Sequence, residues 1–139
     1  MNSKECETSD WQFAPDNPEG YEGFVYLITH KPTGKYYIGK KLFWTTIKKP
    51  PLKGRKNRRL EVKETAWRDY WGSSRELKEF IKEEGVDKFE REILFLCKSK
   101  WEMSYKEAEA QFDWGVLFDE DSFNGIINCR LGKAPKYLR

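Results

Sequence analysis

The chain has 139 residues, the length of one ordinary domain. Charged residues, at 35%, nearly match the apolar ones at 38%, but an aromatic share of 16% excludes a disordered chain and points to a small core of large rings. No apolar run approaches the ~18 residues of a membrane span, and MNSKECETSD lacks the basic-then-apolar pattern of a secretory leader, so no membrane partner is expected.

Residues 1–20 are polar and end in APDNPEG, which reads as an arm ahead of a single domain over 21–139. GFVYLITH is rich in β-branched and aromatic residues. KPTG breaks it and KYYIGKK resumes, a β-hairpin pattern. Pro50, Pro51 and Gly54 predict a loop over the basic stretch 48–63, KKPPLKGRKNRRLEVK. ETAWRDYW predicts a short helix, interrupted at Gly72-Ser73-Ser74, where Ser73 or Ser74 can cap the next one. RELKEFIKEEG sets Leu77, Phe80 and Ile81 at helical spacing and ends in Gly85. KFEREILFLC predicts a third strand. SYKEAEAQFDWGVLF predicts a second long helix, with glutamates in its first turns where the helix dipole favours them. FNGIIN reads as a turn and a short extended piece. The order β-β-α-α-β-α predicts an α+β fold, a small three-stranded antiparallel sheet flanked by helices.

The basic stretch holds eight Lys or Arg against one acid, a local +7 in a chain of only +3. No fold requires sixteen residues to concentrate mutually repelling cations. A polyanion relieves that repulsion and releases its own counterions on binding. Arg55, Lys56, Arg58 and Arg59 are the expected phosphate contacts, which position a nucleic acid without reading its sequence. Residues 101–124 carry seven acids against one Lys, a helix face or a metal-binding surface. Cys6, Cys97 and Cys129 form no CxxC pair and have no nearby His, so reduced thiols of an intracellular protein are the simplest reading. His30, the sole histidine, reads as incidental. Trp67, Trp71 and Trp101 read as core rings ahead of base-stacking ones.

Tyr26 and the pair Tyr36-Tyr37 lie on the two arms of the hairpin. Neighbouring residues of a strand point to opposite faces, so only one of Tyr36 and Tyr37 shares a face with Tyr26. The register decides which, and the sequence leaves it open.

VYLITHKPTGKYYIG resembles the paired motif of the GIY-YIG nuclease family, with FVY at residues 24–26 in the place of GIY and an intact YIG at 37–39. AWRDYWGSS, RELKEFIKEEG and KFEREILFL follow in an order similar to the family's compact, phage-encoded, homing-endonuclease-like members. The resemblance spans roughly residues 23–128. It implies a metal-dependent DNA endonuclease, cytoplasmic and at work in a phage-infected host. A non-catalytic nucleic-acid-binding module on the same fold is the alternative. Tyr26 and Tyr37 match the motif tyrosines, with Tyr26 the better match to the group that takes the water's proton. Glu109, fifteen residues before Asn124, matches the metal-binding carboxylate, with Glu107 as its rival. Asn124 falls in the family's following motif and is placed at the nucleic acid. The family arginine would fall at Ile47, so Lys40, Lys41 and Arg68 are the candidate cations. Tyr70 falls in the region of a histidine that some members carry. The implied cofactor is Mg²⁺ or Mn²⁺, the implied partner DNA, and both monomer and dimer are open.

These residue types suit the chemistry. Phosphodiester hydrolysis builds charge on the equatorial phosphate oxygens, which Lys or Arg offsets, and on the leaving 3′ oxygen, which a divalent ion offsets. Mg²⁺ keeps most of its waters, so one carboxylate is enough to hold it. A phenol of ordinary pKa near 10 needs nearby cations to become a base at neutral pH.

Overall fold

The computed structural model describes residues 10–139, so Cys6 lies outside the described residues. Six strands and two helices follow in the order β1 (Trp11–Gln12), β2 (Gly23–His30), β3 (Tyr36–Leu42), β4 (Trp44–Lys49), β5 (Arg59–Glu64), α1 (Arg75–Glu84), β6 (Phe89–Cys97) and α2 (Lys100–Asp113). The α+β class is as expected, but the main sheet has four strands, in the order β1-β6-β2-β3, rather than three. The hairpin β2–β3 and the pair β2–β6 are antiparallel, while β1 adds in parallel to β6. The extra strand comes from the expected arm. Trp11 is buried, donates its indole N–H to the Trp67 carbonyl at 2.9 Å and lies edge-on to Phe24.

Alternation along β2 sends successive side chains into two cores. Phe24, Tyr26 and Ile28 join Phe43, Trp67 and Phe89 under α1, which contributes Leu77 and Ile81. Val25 and Leu27 join Tyr36 and Ile38 on the opposite face, where α2 contributes Met103 and Ala110. Trp67 is therefore a core ring. Arg91 is buried in the first core between the Trp11 and Trp71 rings, 4.6 and 4.2 Å from their centres. It donates to the carbonyls of Arg68 and Tyr70, and burial lowers its pKa to about 10.

Helix boundaries follow their caps. Ser74 Oγ accepts the Leu77 N–H to open α1, and Gly85, at φ +95°, closes it. α2 starts four residues earlier than expected. Ser99 Oγ accepts the Glu102 N–H, while the Glu102 carboxylate accepts the N–H of Lys98, the residue before the cap. The helix expected around Trp67 is one 3-10 turn, Trp67–Asp69, because Tyr70 returns to extended backbone and Gly72 takes φ +89°.

The loop expected over 48–63 holds for residues 50–58, while its two ends belong to a second sheet. β4 and β5 pair as an antiparallel two-stranded ribbon, from Trp44 opposite Glu64 to Lys49 opposite Arg59. Only its turn carries the two prolines and Gly54. The ribbon continues from the end of β3. At its root the Thr65 N–H bonds the Phe43 carbonyl, and the Trp44 indole N–H bonds the Tyr21 carbonyl.

Candidate active site

The β2–β3 register opposes Tyr26 to Gly39 and Ile28 to Tyr37, so Tyr37 is the tyrosine on the Tyr26 face. The two rings lie 6.2 Å apart. Tyr36 faces the other core and donates to Asp119 at 2.9 Å. Burial and that carboxylate push its pKa up to about 12.

Tyr26 is fully buried, with its hydroxyl packed over Gly39. Among the described residues this hydroxyl has no hydrogen-bond partner. Burial pushes its pKa far up, and the neighbouring phenols of Tyr70 and Tyr37 add to the shift. Tyr70 stands edge-on to Tyr26, with ring centres 5.9 Å apart. A hydroxyl held neutral and shut away from water is not placed to accept a proton from water. The Tyr26 hydroxyl thus lies beneath Gly39 rather than at the cleft that Tyr37 lines.

Tyr37 opens instead onto a cleft of about 300 Å³, lined also by Ser74, Glu107, Gln111, Phe123 and Asn124. Its hydroxyl lies 3.2 Å from Ser73 Oγ. Burial raises its pKa, Ser73 opposes the rise, and Glu107 adds to it. Glu107 arrives from α2, which packs under the opposite face and overhangs the edge strand β3. Gln111, one turn further along the same side of α2, donates to the Ile38 carbonyl at 3.1 Å. Burial raises the Glu107 pKa, and Lys40, 3.8 Å away, holds it back. Lys40 also donates to Ser104 at 2.9 Å. Lys41 points the other way from β3, with its ammonium 4.5 Å from the centre of the Tyr70 ring.

Glu109 is not in this cleft. Two residues of α-helix turn through roughly 200°, so Glu109 lies across the helix from Glu107, and it pairs with Lys106 at 3.3 Å. Arg68 is likewise elsewhere. It is paired with Glu64, lies over the Trp67 ring, and lines a separate cleft with Trp11 and Asp16. Asn124 does border the cleft, but its side chain is already engaged. Oδ1 accepts the Ile38 N–H at 2.9 Å and Nδ2 donates to the Ile38 carbonyl at 2.8 Å, which closes the free edge of β3. Arg55, Lys56, Arg58 and Arg59 cluster at the exposed turn of the ribbon. Ile47 lies within the ribbon, outside the cleft.

Among the described residues no three His, Cys, Asp or Glu side chains converge on one point. The cleft offers one desolvated carboxylate, Glu107. That set fits Mg²⁺ or Mn²⁺ with water completing the shell, and does not fit a closed zinc site. The sequence reading missed Gln111 and took Ser73 only as a candidate helix cap. Gln111 carries a readable signal, its i+4 spacing from Glu107.

A family model described as "Putative endonuclease segE, GIY-YIG domain" matches residues 6–127. The chain belongs to the GIY-YIG nuclease family. No curated protein and no solved structure matches the chain. The GIY-YIG match takes in both cores, the ribbon and the Tyr37–Glu107 cleft. In this member the intact YIG supplies Tyr37, the core residue Ile38 and Gly39, over which Tyr26 packs. The altered first motif places Phe24 and Val25 fully in the two cores, so the departures from Gly and Ile add packing without touching the cleft. No helix among the described residues is long and apolar enough to cross a membrane.

Proposed function

We propose that the chain is a divalent-metal-dependent DNA endonuclease of the phage or homing-like kind, hydrolysing phosphodiester bonds at the Tyr37–Glu107 cleft. The observation that carries this reading is that a motif tyrosine and a desolvated carboxylate, distant in sequence, line one cleft. Glu107 would hold Mg²⁺ or Mn²⁺, which supplies charge neutralisation at the leaving 3′ oxygen. Burial prepares Glu107 for this, because a desolvated carboxylate has few waters to exchange for a cation.

The remaining work falls to the chain's own side chains. The Tyr37 hydroxyl, anchored by Ser73, orients the attacking water along the cleft. A cation held at Glu107 would offset the carboxylate charge that helps raise the Tyr37 pKa, and would so favour the phenolate, the form able to take the water's proton. Lys40 sits beside Glu107, and Lys41 beside the Tyr26–Tyr70 pair; these two ammonium groups flank β3 and offset charge on the phosphate oxygens. Arg55, Lys56, Arg58 and Arg59 hold the duplex by its backbone. Tyr26 and Asn124 position: the first packs beneath Tyr37, the second fixes the β3 edge.

The second reading, a non-catalytic nucleic-acid-binding module, draws on the buried Tyr26 hydroxyl and on a cleft lining that holds no arginine. Incubating supercoiled plasmid with the protein, with Mg²⁺ and with EDTA, separates the two. The enzyme nicks or linearises the plasmid only with the metal. The module retards it in both conditions and leaves it intact.

A further inference from the structure

We propose that the β4–β5 ribbon is a sequence-reading arm that lies in the major groove of duplex DNA, with Leu60 and Val62 set against thymine methyl groups. The choice of DNA as occupant rests on the nuclease reading above.

The register places Thr46 opposite Val62 and Lys48 opposite Leu60, so these four side chains share one face of the ribbon. Leu60 is 68% and Val62 67% exposed. Two large apolar side chains on an outstretched ribbon need an explanation, because neither supports the ribbon from within. The outer part of the ribbon is held by its own ladder, by Lys49 paired with Glu61, and by Arg59 donating to the Pro50 carbonyl. The other face carries Lys49, Arg59 and Lys63 together with Thr45, Ile47 and Glu61, and the turn carries Arg55, Lys56 and Arg58.

An apolar patch framed by a local +7 is poorly suited to an apolar protein surface, where those cations would lose water without partners. The major groove offers both complements. Its walls are phosphates, and its floor carries the C5-methyl of each thymine. Two strands about 4.8 Å apart, with their side chains, fit a groove about 12 Å wide. The cations of the turn and of both faces then position the arm, while Thr46, Leu60 and Val62 meet base edges.

The test uses the full chain in EDTA, which suppresses cleavage. A site selected from a random-sequence duplex pool is prepared with thymine and again with uracil, which lacks the methyl. The wild type should bind the uracil duplex about tenfold more weakly. L60T/V62T, which places β-branched side chains suited to a strand at both positions and leaves the charge unchanged, should bind both duplexes equally and at the weaker level, with an unaltered salt slope. R55Q/K56Q/R58Q should bind every duplex more weakly and flatten the slope of log K against log salt by about 0.9 per lost charge. Equal wild-type affinity for thymine and uracil duplexes overturns the inference alone, as does full discrimination by L60T/V62T. So does a dimer in sedimentation that L60T/V62T dissolves, because the face then belongs to a second copy. A wild type that neither binds nor cuts DNA overturns the nuclease reading as well.

Discussion

Tyr26 and Gly39 stand opposite each other across the β2–β3 ladder, and the end of the phenol fills the space that a side chain at position 39 would need. A Cβ there would lie 2.6 Å from Tyr26 Cζ and 2.9 Å from the Tyr37 ring. The Tyr26 ring is fully enclosed and cannot swing clear. Gly39→Ala should destabilise the fold by about 1–3 kcal/mol, read as a lower urea midpoint. Adding Tyr26→Phe should recover part of the loss, since the hydroxyl is the nearest atom, and a double-mutant cycle would show the pair as less than additive.

The two motif tyrosines should separate in their effects. Tyr26→Phe removes a buried hydroxyl without a hydrogen-bond partner, so stability should hold or rise by up to about 1 kcal/mol. Tyr37→Phe removes the hydroxyl that faces the cleft and should slow cleavage by about 10²-fold with little change in the urea midpoint. Single-turnover nicking rates and denaturation curves on the same samples check both.

The buried Asn124 should behave as a structural residue. Its side chain satisfies both the N–H and the carbonyl of Ile38 at the open edge of β3. Asn124→Ala leaves that N–H enclosed and unpaired, and should cost about 1–3 kcal/mol. DNA affinity measured well below the melting temperature should change little. A large affinity loss at unchanged stability would place Asn124 on the nucleic acid instead.

Much of this architecture was legible because short-range chemistry dictates it. The hairpin around KPTG, the Ser74 cap, the Leu77–Ile81 stripe and the Gly85 stop are local signals, and the structure follows them. Long-range pairing was not legible. Trp11 sits in a polar segment and becomes a strand only because β6 offers an edge and Trp67 a carbonyl. The period-2 pattern of RLEVKE was present, but the prolines and dense charge before it pointed to a loop. At the site, chain spacing to Asn124 favoured Glu109 over Glu107. Spacing along a chain does not fix a helix face; the Gln111–Ile38 bond does, by turning Glu107 toward Tyr37.

The burial of Glu107 has a pH signature. A carboxyl whose folded pKa exceeds its unfolded value binds more protons in the native chain, so stability falls as pH rises through that window. Glu107→Gln abolishes this cost. The variant should melt higher than the wild type at pH 7, and its advantage should fade as pH falls through the elevated Glu107 pKa and be gone by the unfolded glutamate value near 4.3. The lost Lys40 contact subtracts little, being partly exposed. Cleavage by the wild type should rise with pH through the elevated Glu107 pKa, because the ionised carboxylate is the form that holds a cation.

The most direct measurement compares plasmid nicking by the wild type, Glu107→Gln and Glu109→Gln across a Mg²⁺ titration. The wild type should nick only with the metal, Glu107→Gln should lose about 10²–10³-fold in rate, and Glu109→Gln, altering only a surface pair with Lys106, should stay within about threefold. Full activity in Glu107→Gln together with loss in Glu109→Gln would contradict the Tyr37–Glu107 cleft as the catalytic centre.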